Sequence, residues 1–231
     1  MRTTALYSSI STAIHYKLIS IVVHYFVVIG VNEQLHSVLL LAHRRLKNNL
    51  ESIAMQTQHL KTRMITITAI IFALALFRLL PHLPNVSPVA AMALFGGAYF
   101  ADKRMAFIVP FLALFISDLF LGLHNSMIFV YAGFALTVVI GFQLQKRVNV
   151  TNTAFAVVAS SVLFFLLTNF GAWLTSGLYA KTAAGMMQAY VAGIPFFQNS
   201  LLGNLVYAAL IFGGYHLLQK NVASLKEPVV K

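Results

Sequence analysis

From Met64 onward the chain repeats one pattern six times, a continuous apolar run followed by a short polar break. The runs are MITITAIIFALALFRLL (64–80), VSPVAAMALFGGAYFA (86–101), MAFIVPFLALFISDLFL (105–121), SMIFVYAGFALTVVIGF (126–142), NTAFAVVASSVLFFLLTNFGA (152–172) and SLLGNLVYAALIFGGYHLL (200–218). Their lengths of 16 to 21 residues suit membrane helices, since about 20 residues at 1.5 Å rise cross about 30 Å of hydrocarbon. The shorter runs borrow flanking residues or thin the bilayer locally. Continuous runs, rather than alternating ones, argue against a β-barrel. The pattern predicts an all-α membrane protein, a six-transmembrane-helix bundle over 64–220.

The flanks differ from this core. Residues 1–63 form an expected N-terminal extension, surface-associated or poorly ordered, with Met55 or Met64 as alternative starts. Within it LISIVVHYFVVIGV (18–31) is only 14 residues long, short for a span. A further span over 15–32 is the alternative reading. Residues 221–231 form a short basic tail.

Charge orients the bundle. Lys103 and Arg104 follow the second run, Lys146 and Arg147 the fourth, and Lys220 the sixth; PHLPN after the first and GLHN after the third carry no Lys or Arg. Basic residues thus mark the N-terminus, the second and fourth loops and the C-terminus, which the positive-inside rule makes cytoplasmic. The expected location is a cell membrane with both termini inside. Composition agrees: 59% apolar and 9% charged residues, against about 25% charged in soluble chains. The net charge of +11 follows the loops rather than a duplex-binding face. The expected surroundings are a lipid bilayer, and nucleic acid is not an expected partner. The absence of Cys excludes disulfides, thiolate catalysis and Cys-ligated metals.

A few polar residues break the apolar runs, and they gather at the external end. Asp118 lies near the end of the third run, at the depth of Arg78 in the first. It either pairs with Arg78 or faces a ligand at the mouth of a cavity. Asn169 and Trp173 are four apart, on one helix face. PHLPNVSP (81–88) pre-sets its backbone with three prolines and presents His82, Asn85 and Ser87. The stretch WLTSGLYAKTAAGMMQAYVAGIPFFQNS (173–200) reads as a long external connection, with a short lid helix over KTAAGMMQAYVA and Asn199 capping the last span. An external cavity lined by amides and aromatic rings suits a small polar ligand. Nearly pure apolar inner halves argue against a water-filled pore.

No HExxH, GxSxG or Walker glycine loop is present in the sequence. The expectation is a protein that is not an enzyme and requires no cofactor or metal. Ser160 and Ser161 lie mid-helix, where a hydroxyl most often bonds its own backbone or a neighbouring helix.

The layout resembles the substrate-binding S components of energy-coupling factor transporters. LPNVSPVAAMALFGGAYF, SDLFLGLH, LTNFGAW and AGIPFFQNSLLGNLVY resemble an uncharacterised prokaryotic membrane family grouped with those components, over roughly residues 64–218. The resemblance implies capture of a vitamin or related micronutrient from outside. It also implies docking on a transmembrane scaffold subunit driven by two cytoplasmic ATPases. S components pack on that scaffold through AxxxA in the first helix, and Ala69 and Ala73 match it here. The expected ligand-side residues are Asn85, Asp118, Asn169 and Trp173. Two other readings stand beside this one: a membrane structural or assembly subunit, and a lipid-modifying enzyme using Asp118 with His124.

Overall fold

The computed structural model describes residue 14 and residues 17–25, 33–80, 85–123, 125–145 and 147–225. His82, His124, Lys146, much of the alternative 15–32 span and the end of the basic tail lie outside the described residues. Among the described residues every regular element is helical: α1 (Glu33–Phe77), α2 (Val89–Tyr99), α3 (Lys103–Leu121), α4 (Met127–Leu144), α5 (Val150–Thr175) and α6 (Ala183–Asn221), with a 3-10 turn at Ala223–Leu225. Residues 17–25 are also helical. Five helices are long and apolar enough to cross a membrane among the described residues. The chain is an all-α, multi-span membrane protein.

The chain divides into two compact units, Met1–His59 and Leu60–Lys231. In the first unit the described residues are helical and largely exposed. The division falls inside α1, which covers residues 33–63 of the expected extension and residues 64–77 of the first expected span. The second unit holds the core.

The run at 86–101 does not make a spanning helix. It forms α2, whose 11 residues cover only about 16 Å at 1.5 Å each. Ten of those 11 residues are buried. The physical reason lies at its ends. Pro88 precedes the first turn, and Asp102 ends the run by capping α3, its carboxylate accepting from the Arg104 amide at 2.8 Å. A short helix is tolerated at membrane depth only when protein covers it. Here α4 covers it most extensively, and α3, α5 and α6 close the rest.

Glycines set how near those neighbours come. A Cβ on Gly97 would lie 2.3 Å from the Val138 carbonyl oxygen and 2.9 Å from the Gly141 Cα. One on Gly141 would lie 2.6 Å from the Leu94 carbonyl oxygen. The two backbones therefore cross in direct contact, as small residues permit between membrane helices. Gly96 faces the other way, against the Pro110 ring of α3. Gln145, just beyond α4, donates to the carbonyls of Gly97 at 2.9 Å and Phe100 at 3.1 Å, satisfying the end of α2. On its remaining side, Phe95 and Tyr99 pack against Phe212 and Tyr215 of α6, with ring centroids 4.5 to 5.7 Å apart.

The expected long connection at 173–200 is also different. Residues 176–182 alone connect α5 to α6, and α6 runs on for 39 residues with Pro195 inside. Thr182 provides the cap by accepting from the Gly185 amide, so Asn199 is interior to the helix rather than its cap. Pro195 has no amide donor for the Val191 carbonyl and its ring crowds that turn. The turns around it are held to α5, where Phe165 meets the Tyr190 and Phe197 rings at 5.8 and 4.9 Å. Tyr190 also donates to the Leu166 carbonyl at 2.9 Å.

The glycine contacts make a paired prediction. Gly97→Ala is expected to lower stability by about 1–3 kcal/mol through overpacking. Gly214→Ala, where a Cβ meets nothing within 4 Å, is expected to be neutral or to gain up to about 1 kcal/mol from helix propensity. Thermal unfolding of the purified proteins in one detergent measures both.

Candidate functional site

Residues from α5, α6 and the turn before α2 enclose a cavity of about 340 Å³. Asn85, Ser161, Thr168, Asn169 and Ser200 supply its polar wall, and Phe164, Phe165, Phe196 and Phe197 its aromatic wall. It lies between the later part of α5 and the first half of α6.

Local structure explains why these groups line it. Thr168 and Asn169 are in the last third of α5 and satisfy part of their polarity on their own helix. The Thr168 hydroxyl donates to the Phe164 carbonyl at 2.8 Å, and the Asn169 amide nitrogen donates to the Phe165 carbonyl at 2.9 Å. That bond turns the Asn169 Oδ1 toward α6, where Gly193 leaves room for it. A Cβ on Gly193 would lie 2.2 Å from that oxygen. Asn85 has φ of 63°, in the left-handed region that asparagine tolerates better than most residues. At the floor, Asn204 of α6 donates to the Ser161 hydroxyl at 3.0 Å, with both side chains buried. Ser160 donates to the Val157 carbonyl, so one hydroxyl of the pair bonds its own helix and the other a neighbour.

Trp173 does not line this cavity. Its indole nitrogen donates to the Ala180 carbonyl at 2.9 Å and so closes the 176–182 connection. Lys181 returns over the indole ring, 5.5 Å from its centroid, and donates to the Leu174 carbonyl at 2.7 Å and to the Trp173 carbonyl. Lysine here neutralises the exposed carbonyls at the C-terminus of α5.

Asp118 belongs to a separate cluster. The buried positions of α3 are Ala106, Val109, Pro110, Ala113, Leu114, Ser117 and Asp118. Their spacing of three and four places the carboxylate on the packed face rather than toward lipid. It is 4% exposed. Arg78, just past α1, forms an ion pair with its Oδ1 and donates to the Ser117 hydroxyl at 2.7 Å. Tyr131 of α4 donates to its Oδ2 at 2.9 Å. Ser117 in turn donates to the Leu114 carbonyl. Of the two alternatives for Asp118, the geometry shows the pairing with Arg78. His124, its expected partner in an enzyme, lies outside the described residues.

Ala69 and Ala73 are exposed, on the side of α1 opposite buried Ile67, Ile71 and Ala75. No cluster of three or more His, Asp or Glu suited to a metal occurs among the described residues. Two of the four expected ligand-side residues, Asn85 and Asn169, thus meet at one cavity, while Asp118 and Trp173 have other neighbours. Thr168 and Gly193 were not singled out from sequence, and Ser161 was read only as a helix-bonding hydroxyl, because small polar residues and glycine are ordinary in membrane helices.

The Asp118 cluster carries a stability prediction. Arg78→Ala leaves a buried carboxylate without its cation, and is expected to cost about 3–5 kcal/mol. Arg78→Met combined with Asp118→Leu removes both charges, and is expected to restore most of that loss. Thermal unfolding of the three proteins, with a size-exclusion profile for each, decides it.

No curated protein and no solved structure matches the chain. Residues 58–225 match DUF6580, a family of unknown function, and that match begins within two residues of the boundary between the two compact units. It spans α2 to α6, the end of α1 and both clusters, so the chain belongs to the DUF6580 family.

Proposed function

We propose that this protein captures a small solute at the outer end of its bundle, as the binding component of an uptake system. The observation that carries this reading is the convergence of Asn85 and Asn169 on a cavity walled by phenylalanines. Its volume of about 340 Å³ falls near the lower end of the about 300–1,000 Å³ common for small-molecule sites. Amides offer donors and acceptors without charge, and the rings offer stacking faces. A flat, polar heterocycle of vitamin or nucleobase size matches both.

In this reading the other candidates serve the site indirectly. Asp118, with Arg78 and Tyr131, ties α1, α3 and α4 together. Trp173 fixes the connection between α5 and α6, the two helices that form most of the cavity. Energy would come from elsewhere, since the chain contains no Walker glycine loop. Ala69 and Ala73 supply the contact for a transmembrane scaffold subunit with its cytoplasmic ATPases, small residues one turn apart allowing close helix approach. The resemblance to S components supports that assignment, and the exposure of both alanines is compatible with it.

Native mass spectrometry of the protein purified in mild detergent provides the test. The expected result is a retained molecule of a few hundred daltons. Asn169→Ala is expected to reduce its occupancy about tenfold, the effect of losing roughly 1.4 kcal/mol of hydrogen bonding. Gly193→Ala, which pushes on the Asn169 side chain, is expected to act in the same direction, whereas Gly214→Ala is not. No retained molecule, or equal retention by all three variants, would overturn the assignment.

A further inference from the structure

A larger cavity, about 940 Å³, lies at the opposite end of the second unit. It runs between the first half of α5 and the second half of α6, with the last turn of α2 at its back. Small side chains open it. Ala154 of α5 faces Ala208, Ala209 and Gly213 of α6, and a Cβ on Gly213 would meet nothing within 4 Å. Its inner wall is apolar, with Val157 and Phe212 buried along it.

Its mouth is different. His216, Gln219 and Lys220 stand there on α6, within two turns of one another. Across from them is the N-terminus of α5, capped by Asn149 through its bond from the Asn152 amide at 2.8 Å. The first amides of that 26-residue helix, at Val150 and Thr151, point outward with no acceptor inside the helix. They add positive potential to that of Lys220. Among the described residues no Asp or Glu lines the cavity. Thr153 lines it too, and its buried hydroxyl has no hydrogen-bond partner among the described residues.

From this arrangement we infer that the cavity is a binding site for one anionic phospholipid, taken from the leaflet at the basic end of the bundle. The phosphate sits between Lys220, His216, Gln219 and the first turn of α5. One acyl chain lies along the small-residue face of α6, against Val157 and Phe212. Charge complementarity at the mouth selects the occupant, because basic pockets between membrane helices favour acidic headgroups. A zwitterionic lipid would bring a choline cation to a mouth where, among the described residues, there is Lys220 and no carboxylate to meet it. The apolar interior separates a lipid from free phosphate, which has nothing to place there.

The test uses the full chain, delipidated and returned to mixed micelles with equal phosphatidylglycerol and phosphatidylcholine, and counts bound lipid by native mass spectrometry. The expected single adduct is phosphatidylglycerol, favoured about fivefold or more. Lys220→Gln with His216→Gln is expected to bring the two lipids to parity. Gly213→Leu fills open space, and is expected to reduce both adducts while the melting temperature holds. Equal retention by the unaltered protein overturns the inference, as does a preference that survives both changes. Displacement of phosphatidylglycerol by millimolar inorganic phosphate would show a free-anion site instead, and also overturns it.

Discussion

The contact between Gly97 and Gly141 sets the geometry of the second unit. An 11-residue helix in the middle of a membrane protein has to be covered on every side. That is possible only if its neighbours approach closely, and the backbones of α2 and α4 meet without side chains between them. Once α2 is central, Pro110 of α3 seats on Gly96, and the rings of α6 seat on Phe95 and Tyr99. Gln145 then closes the end of α2 with two hydrogen bonds from beyond α4. Each contact presupposes the glycine crossing.

Within that frame the protein's polar groups are largely satisfied inside the bundle. Asp118 has Arg78 and Tyr131, and Asn204 has Ser161. Thr137 and Thr175 bond back to carbonyls four residues earlier, at Gly133 and Gly171. Unmet polar groups are costly at membrane depth, so such closure is what the environment demands. Large side chains are matched to glycines in the same spirit. A Cβ on Gly133 would meet the Phe164 ring of α5, and one on Gly171 the Phe129 ring of α4. These two reciprocal fits, one turn apart in the N-terminal part of α4 and both in the C-terminal half of α5, hold the two helices in register there.

Much of this was legible in the sequence. The apolar runs marked most of the membrane-length helices, and Asp118 stood out as a carboxylate inside one of them. Its depth relative to Arg78 offered the ion pair as one of two readings. The run at 86–101 was misread because hydropathy reports how apolar a segment is and not what surrounds it. A fully buried short helix and a lipid-facing span then look alike. The stretch at 183–199 was misread because Gly193 and Pro195 resemble loop punctuation, whereas contacts with Phe165 and Leu166 keep that region helical. The large cavity at the basic end gave no signal at all. It is made by what Ala154, Ala209 and Gly213 lack, and such residues also pack helices tightly. Only the placement of α5 against α6 distinguishes the two outcomes.

One further consequence follows from the length of α6. Its N-terminal half supplies Gly193, Phe196, Phe197 and Ser200 to the smaller cavity, and its C-terminal half supplies eight residues between Leu205 and Lys220 to the larger one. A single rod therefore forms a wall of both compartments, with α5 as the opposing wall in each. If α6 tilts about the buried Asn204–Ser161 bond between them, widening one compartment narrows the other. Occupants of the two would then oppose each other, and by thermodynamic reciprocity each would weaken the other's hold by the same factor.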